Sequence, residues 1–337
     1  MAKTYDDLAN MNPEDLFEDN SRKKEENESK VETAPHPEES KSPSESLAPA
    51  NYLRIELDSV GKLDAPPELH FRNYTMEEVW ELAEMTRENE QEVIVRVLNN
   101  LCFESFDCAF LHPKEVEYIL LNITAKWWGS TINSMGYFRN PNLRNLEDLQ
   151  DPSNISRIDL PIENIKTDII PEGFQEPVEI DLGEEGIYHF RLPRMADYIR
   201  AARYTRNKYR AQDRRFSDFR MRLRKEEKNP GTQDIDLDLE REYEEHQKNK
   251  RRDEILSRQA QQITAVGGHE TPEDIDQKLE VLKTQVPATA WIAFRRVEKA
   301  NMFGVNPNVT FFDEQSGEPI SRRFQFRFLD FIPSLVT

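Results

Sequence analysis

Cysteine is the residue of this sequence with the greatest capacity for chemistry, and its placement favours structural roles. The two cysteines, Cys102 and Cys108, lack metal-ligand spacing and are too few for a disulfide framework. A nucleophilic cysteine needs a nearby base and an electropositive setting, whereas the neighbouring Glu104 and Asp107 raise the pKa of a thiol. We therefore predict two buried structural cysteines in a reducing compartment.

The histidines and carboxylates predict no catalytic or metal site either. The sequence has no phosphate-binding glycine loop, no Gly-x-Ser-x-Gly elbow, no paired-histidine zinc helix and no calcium loop. Its many carboxylates leave a glycosidase or a metal-dependent nuclease open, although no pair stands in a recognisable catalytic setting. We expect no catalytic residue, no metal ligand and no cofactor. The histidines are scattered at His36, His70, His112, His189, His246 and His269.

A run of arginines interleaved with aromatic residues, over 198–225, is the most specific feature outside the expected core. Residues 191–228 carry fourteen Lys and Arg against five Asp and Glu. The aromatic rings can stack on bases while the arginines contact phosphates, so nucleic acid is one possible partner. An acidic protein surface is a second, and this chain's own residues 234–245, with seven acidic residues against one Arg, are a third. The arginines that we select as candidates are Arg203, Arg206, Arg210 and Arg214.

Overall composition narrows the class of protein. The formal net charge is −19, which argues against a protein that coats nucleic acid with its whole surface, because phosphate binding needs Lys and Arg. Residues 1–50 hold thirteen Asp and Glu against six Lys and Arg and few large apolar side chains, so we predict a disordered acidic tail. Neither a signal peptide nor a membrane span is expected, and the chain is expected in the cytosol.

Two pairs of apolar residues are further candidates for partner contacts. Leu16 and Phe17 lie among carboxylates in the tail, a pattern that can fold as a short helix in a partner's groove; the alternative is a solvated tail that binds nothing. Trp127 and Trp128 close a predicted helix and point about 100° apart. We expect one of them in the core and the other exposed as an interface anchor.

The elements that must position these residues begin with a β-hairpin and a small bundle of three helices. Thr75 and Glu78 form a capping box at the start of the first helix, and Pro113 suits the first turn of the third. Apolar residues recur at helical spacing after each of these signals. The predicted strands are 52–57 and 69–72, and the helices are 75–85, 90–102 and 113–127.

The remaining sequence combines short strands with charged helices. Residues 135–152 are rich in Asn and Pro and predict a loop. Residues 195–228 predict one long basic helix, and residues 234–258 predict a helix that can fold back on it as an antiparallel hairpin. Packing must contribute most there, because surface ion pairs are each worth roughly 0–1 kcal/mol. Further strands are predicted at 158–161, 178–182, 187–192, 309–312 and 323–328, and helices at 273–284 and 291–302.

These elements predict an α+β fold: a small helical bundle with short antiparallel β-hairpins, a long charged helical hairpin and a disordered N-terminal tail. We divide it into the tail over 1–50, an α+β core domain over 51–205, and a charged helical insertion over 206–286. A C-terminal helix and β-hairpin over 287–337 are expected to pack on the core.

The succession of motifs resembles a known family. Phe71-Arg-Asn-Tyr-Thr-x-Glu-Glu precedes a helix ending Val97-Leu-Asn-Asn-Leu-Cys, then Leu111-x-Pro-x-Glu-Val-Glu-Tyr-Ile leads to Ala125-Lys-Trp-Trp-Gly. This order is similar to that of the T4-type bacteriophage baseplate hub assembly family. The Cys-x-x-Cys pairs of some members are replaced here by Asn, Pro and Asp, so no zinc ribbon is expected. The resemblance covers about residues 50–205 and 288–333.

The resemblance implies a non-enzymatic tail or baseplate assembly protein, either a chaperone or a structural hub subunit. Its expected partners are baseplate hub or tape-measure proteins, and its expected location is the cytoplasm of the infected bacterium or the virion. A nucleic-acid-binding module that uses residues 198–225 is the alternative, and a hydrolase is the third class. The oligomeric state stays open.

Overall fold

Eight α-helices and a set of short antiparallel strand pairs make up the described part of the chain, which confirms the α+β class. The tail predicted over 1–50, which contains Leu16 and Phe17, lies outside the described residues. The structure is a computed structural model, and it describes residues 51–57, 59, 63, 65–86, 88–138, 155–228, 237–312, 319–324, 326 and 328.

A β-hairpin and three helices come first, as the sequence predicts. The Glu78 carboxylate accepts a hydrogen bond from the Thr75 backbone N–H, which caps the first helix. Pro113 holds the first position of the third helix, where its missing N–H is not needed, and His112 with Glu115 forms a second capping box. The elements are β1 (Leu53–Glu56), β2 (Glu68–Phe71), α1 (Met76–Ala83), α2 (Glu90–Leu101) and α3 (Pro113–Trp127).

A strand pair follows where the sequence predicts a loop. Strand β3 (Thr131–Phe138) pairs antiparallel with β4 (Ile155–Pro161), so the loop prediction for 135–152 is wrong over its first residues; the remainder lies outside the described part. Ile132 and Met135 are both buried, with a shift of register between them. This bulge breaks the alternation of apolar and polar residues by which a strand is recognised in a sequence.

A four-stranded antiparallel sheet contains, in spatial order, β6 (Val178–Asp181), β7 (Ile187–Phe190), β8 (Ile263–Val266) and β9 (His269–Glu270). Its last hairpin, formed by β8 and β9, lies outside the predicted strands. Gly267 and Gly268 have φ of 58° and 81°, and two consecutive positive φ values suit a tight turn between paired strands. Strand β5 (Thr167–Asp168) precedes this sheet in sequence and pairs instead with Gly304–Val305 near the C-terminus.

The charged segment forms three helices, α4 (Met195–Arg215), α5 (Ser217–Lys228) and α6 (Leu237–Gln261). The single long helix predicted over 195–228 is therefore wrong at Phe216, which separates α4 from α5. Phe216 is buried, and its ring centroid lies 5.1–5.5 Å from those of two α6 side chains, His246 and Tyr243. The predicted domain boundary between residues 205 and 206 falls inside α4.

The C-terminal elements include a hairpin whose second strand begins earlier than predicted. In its register Phe311 faces Ile320, so the strand that pairs with β11 comprises residues 319–323 and is not the segment 323–328. Phe324 instead leaves the strand, is buried, and packs 5.9 Å from the Phe311 ring. The elements are α7 (Ile275–Thr284), α8 (Ala288–Ala300), β10 (Gly304–Val305), β11 (Asn308–Phe312) and β12 (Pro319–Arg323).

Two apolar clusters fill the interior. The first joins β1, β2 and α1–α3 to buried C-terminal residues that include Val305, Val309 and Phe324. The second lies between the four-stranded sheet and α8, where the rings of Phe190 and Phe294 stack 4.7 Å apart. Segments far apart in sequence thus share a core, and all described residues belong to one compact unit.

Candidate protein-binding surfaces

The interior of the charged hairpin is held by aromatic packing and by carboxylates on both helices. Helix α6 runs antiparallel to α4, as predicted. On α4, Asp213 accepts hydrogen bonds from His246 and Lys250 of α6; although burial raises its pKa, these two groups hold the pKa below its ordinary value. The acidic run 234–245 contributes an ion pair between the helices, in which Arg215 of α4 contacts Glu242 of α6 at 2.8 Å.

The aromatic side chains of the basic run face the protein interior. Tyr209, Phe216 and Phe219 are buried. The Tyr204 hydroxyl donates to Asp276 at 2.6 Å, and the Tyr198 ring is covered by the guanidinium of Arg258, whose central carbon lies 4.5 Å from the ring centroid. These rings therefore form no open platform on which nucleic-acid bases could stack.

The four candidate arginines share one side of α4, within an arc of roughly 80° at ordinary helical spacing. All four are exposed. Arg203 forms an ion pair with Glu92 of α2 at 2.7 Å, and Arg206 donates to the backbone oxygen of Glu88 at 2.8 Å. The Arg203 guanidinium is also the main reason that the pKa of Glu92 is lowered.

Arg210 and Arg214 differ from the two arginines that precede them on α4. They lie one turn apart, and within the described residues neither makes a hydrogen bond or an ion pair. The structure thus divides the predicted site into two arginines that fasten α4 to the α2 region and two that face solvent. Sequence spacing placed the four on one side but could not separate these roles.

The tryptophans at the end of α3 do not match their prediction. Trp127 and Trp128 are both half-buried against the first apolar cluster, so the expectation of one core and one exposed ring is wrong. Trp128 caps the helix, its indole N–H donates to Asn73 Oδ1 at 3.1 Å, and its ring lies 6.2 Å from that of Tyr74. These contacts hold the indole against the protein.

Helix α1 carries an exposed apolar pair that the sequence reading missed. Met76 is 61% exposed and Trp80 is 66% exposed, one turn further along the helix. Val79 and Leu82, on the opposite side, are buried in the first cluster. The signal was present in the sequence, because Trp80 lies about 130° from the mean direction of Val79 and Leu82 at helical spacing.

The cysteines occupy neighbouring positions in the first cluster. Cys108 is buried and Cys102 is half-buried, and both are free thiols. The pKa of Cys108 is raised by its contact with Cys102, by burial and by Asp107, in the direction predicted from sequence. Cys102 donates to a Glu104 carboxylate oxygen at 3.4 Å.

A cluster of buried ionisable groups joins α3 to the start of α4. Ser59 donates to Glu115, and Arg194 pairs with Glu176. Burial lowers the pKa of His112 to about 3 and raises the pKa values of Glu115 and Glu176. The adjoining cavity, lined in part by Ser59 and Glu115, has a volume of about 20 Å³. It is large enough for about one water molecule, so we interpret the cluster as a structural network.

Comparison with known proteins assigns no family: the chain matches no family model, no curated protein and no solved structure. Among the described residues, no set of three or more His, Cys, Asp or Glu side chains could hold a metal ion. No helix in the same residues is both long enough and apolar enough to cross a membrane.

Proposed function

We propose that this chain is a bacteriophage tail or baseplate assembly protein of the kind it resembles, and that it acts by binding other proteins. Arg203, Arg206, Arg210 and Arg214 form an arginine row along one side of α4. The supporting observation is the solvent-facing end of this row, because Arg210 and Arg214 have no partner within the described residues. The basic run retains exposed positive charge after its internal contacts are made. An exposed arginine pair on a rigid helix is suited to contact carboxylates, because the planar guanidinium can bind them with two hydrogen bonds.

The expected partner is an acidic surface of a baseplate hub or tape-measure protein. The inward-facing aromatic rings weaken the nucleic-acid alternative. Because bases could not stack on these rings, a nucleic acid would be held by contacts to its phosphates alone. The same proposal places the protein in the cytoplasm of the infected bacterium during assembly, whether or not it is retained in the virion.

Co-expression with the hub and tape-measure proteins from the same genome tests this function. We expect the tagged chain to co-purify with at least one of them, and we expect the double variant Arg210→Glu/Arg214→Glu to lose that complex. The matched control is Arg251→Glu/Arg296→Glu, which reverses two exposed helical arginines that lie outside α4. Failure to form a complex with any tail protein contradicts the function, while a complex that survives the α4 reversal removes the surface assigned to it.

The nucleic-acid alternative makes a different prediction for the same variants. Fluorescence anisotropy with labelled DNA and RNA would show affinity that falls steeply with salt and is abolished by Arg210→Glu/Arg214→Glu. Arg203 and Arg206 are left unchanged, because reversing them would also break contacts to Glu92 and Glu88. Absence of binding at low salt eliminates this alternative.

A further inference from the structure

The outer side of α1 faces solvent, and its large apolar side chains are not part of the core. Of the large apolar side chains described as exposed, Met76 and Trp80 are the pair that lies one turn apart on a single helix. Neither belongs to or packs against the first apolar cluster, whereas Val79 and Leu82 of the same helix do. Two large apolar side chains that leave most of their surface exposed to solvent are typical of an interface anchor.

The helix that presents this pair is held firmly at its N-terminus. Glu78 is buried, accepts from the Thr75 backbone N–H at 2.7 Å, and forms an ion pair with Arg72 at 2.5 Å. Burial raises the pKa of Glu78, but the hydrogen bonds from Arg72 and Thr75 lower it to about 2, so its carboxylate is charged at neutral pH. A surface that is already ordered loses little conformational entropy when a partner binds.

Charge defines the partner that this surface fits. Glu77 and Glu84 are exposed on the same outer side, about 60° and 40° from Trp80 at helical spacing, and neither has a partner among the described residues. Glu81, further round, is already paired with Arg96. Two free carboxylates beside an apolar pair favour a cationic group next to an apolar anchor and disfavour nucleic acid.

We propose that the Met76–Trp80 side of α1 is a docking surface for a segment of a partner protein that carries an apolar side chain flanked by Lys or Arg. The apolar side chain would cover Met76 and Trp80, and the basic groups would contact Glu77 and Glu84. This surface is opposite in charge to Arg210 and Arg214, so it requires a different partner segment and does not depend on the function proposed above.

A yeast-displayed random peptide library, panned with the full-length chain and counter-selected with its Trp80→Ala variant, tests the proposal. We expect the enriched peptides to combine aliphatic or aromatic residues with Lys or Arg and to avoid Asp and Glu. In fluorescence anisotropy with one such peptide, Met76→Ala and Trp80→Ala should each weaken binding by about tenfold or more. Glu77→Gln/Glu84→Gln should weaken binding and flatten its salt dependence.

Phe312→Ala is the matched control, because Phe312 is 71% exposed and lies on β11. It should bind the peptide as the unchanged chain does, and thermal unfolding should show that all variants fold. The proposal is overturned if no peptide depends on Trp80 or if the dependent peptides are acidic. Self-association in sedimentation that Trp80→Ala abolishes would also overturn it and assign the surface to a second copy. Arg210→Glu/Arg214→Glu should leave peptide binding unchanged, because those arginines belong to a different surface. If the α1 docking surface is overturned, the proposed function at Arg210 and Arg214 is therefore unaffected.

Discussion

At the scale of single residues, His112 links the stability of the fold to pH. It is buried, its backbone N–H donates to Glu115 at 2.7 Å, and its Nδ1 accepts from the Lys114 N–H at 3.1 Å. Burial and the charges of Arg194 and Lys114 lower its pKa to about 3, so the imidazole is neutral in the folded protein over most of the acidic range.

We predict that His112 makes the protein less stable as pH falls from about 6.5 toward 3. An unfolded histidine has a pKa of about 6.5, so below that pH the unfolded chain binds a proton that the folded one does not. Between pH 7 and pH 5 this amounts to about 2 kcal/mol. Urea unfolding at pH 7 and pH 5 gives the loss of unfolding free energy on acidification. This loss should be smaller by about 2 kcal/mol in His112→Gln than in the unchanged protein. An equal loss in both proteins contradicts the role assigned to His112.

At the scale of elements, the charged hairpin combines a buried aromatic contact with exposed ion pairs. Phe216 is buried against Tyr243 and His246. Arg215 and Glu242 form an ion pair with each other, and their side chains are 65% and 55% exposed. Solvent and salt screen such an exposed pair, whereas a buried ring loses both its transfer free energy and its contacts when it is removed.

We expect Phe216→Ala to lower the free energy of unfolding by about 3–5 kcal/mol and Arg215→Ala to change it by less than about 1 kcal/mol. Denaturant unfolding of the two variants, which alter adjacent residues at the end of α4, provides the comparison. Equal losses would mean that ion pairing holds the hairpin together, contrary to the packing argument.

At the scale of the whole molecule, a contact between α3 and a C-terminal strand closes the first apolar cluster. Gly304, in β10, has φ of 81°, and a Cβ built there would lie 2.7 Å from Lys114 Cβ and 2.9 Å from the Lys114 backbone oxygen. Val305 follows and is buried in the cluster. The C-terminal segment can approach α3 this closely only because residue 304 has no side chain.

Gly304→Ala should therefore destabilise the fold by about 2 kcal/mol or more, from left-handed backbone strain together with the clash. Thermal unfolding should show the loss. Gly267→Ala is the control, because φ there is 58° but no heavy atom lies within 4 Å of the added Cβ, so only the strain remains. A control variant as destabilised as Gly304→Ala would show that close packing at this contact is unimportant.

Local signals were enough to predict much of the first half of the fold. The capping box of Thr75 and Glu78, Pro113 at the start of α3, and the alternation in β1 and β2 each act over a few residues. Capping and periodicity depend on near neighbours along the chain, so they can be read without knowing what packs against them. The antiparallel charged hairpin was predicted from a different property, the opposite charges of its two segments.

The sequence by itself determined the α+β class and the position of the arginine row, because both follow from short-range periodicity. Only the tertiary structure decided that Arg203 and Arg206 are bound to the α2 region and that Phe216 ends α4. The pairing of Arg203 with Glu92 spans 111 residues. Such contacts depend on which distant segments come together when the apolar clusters form, and no local pattern records that.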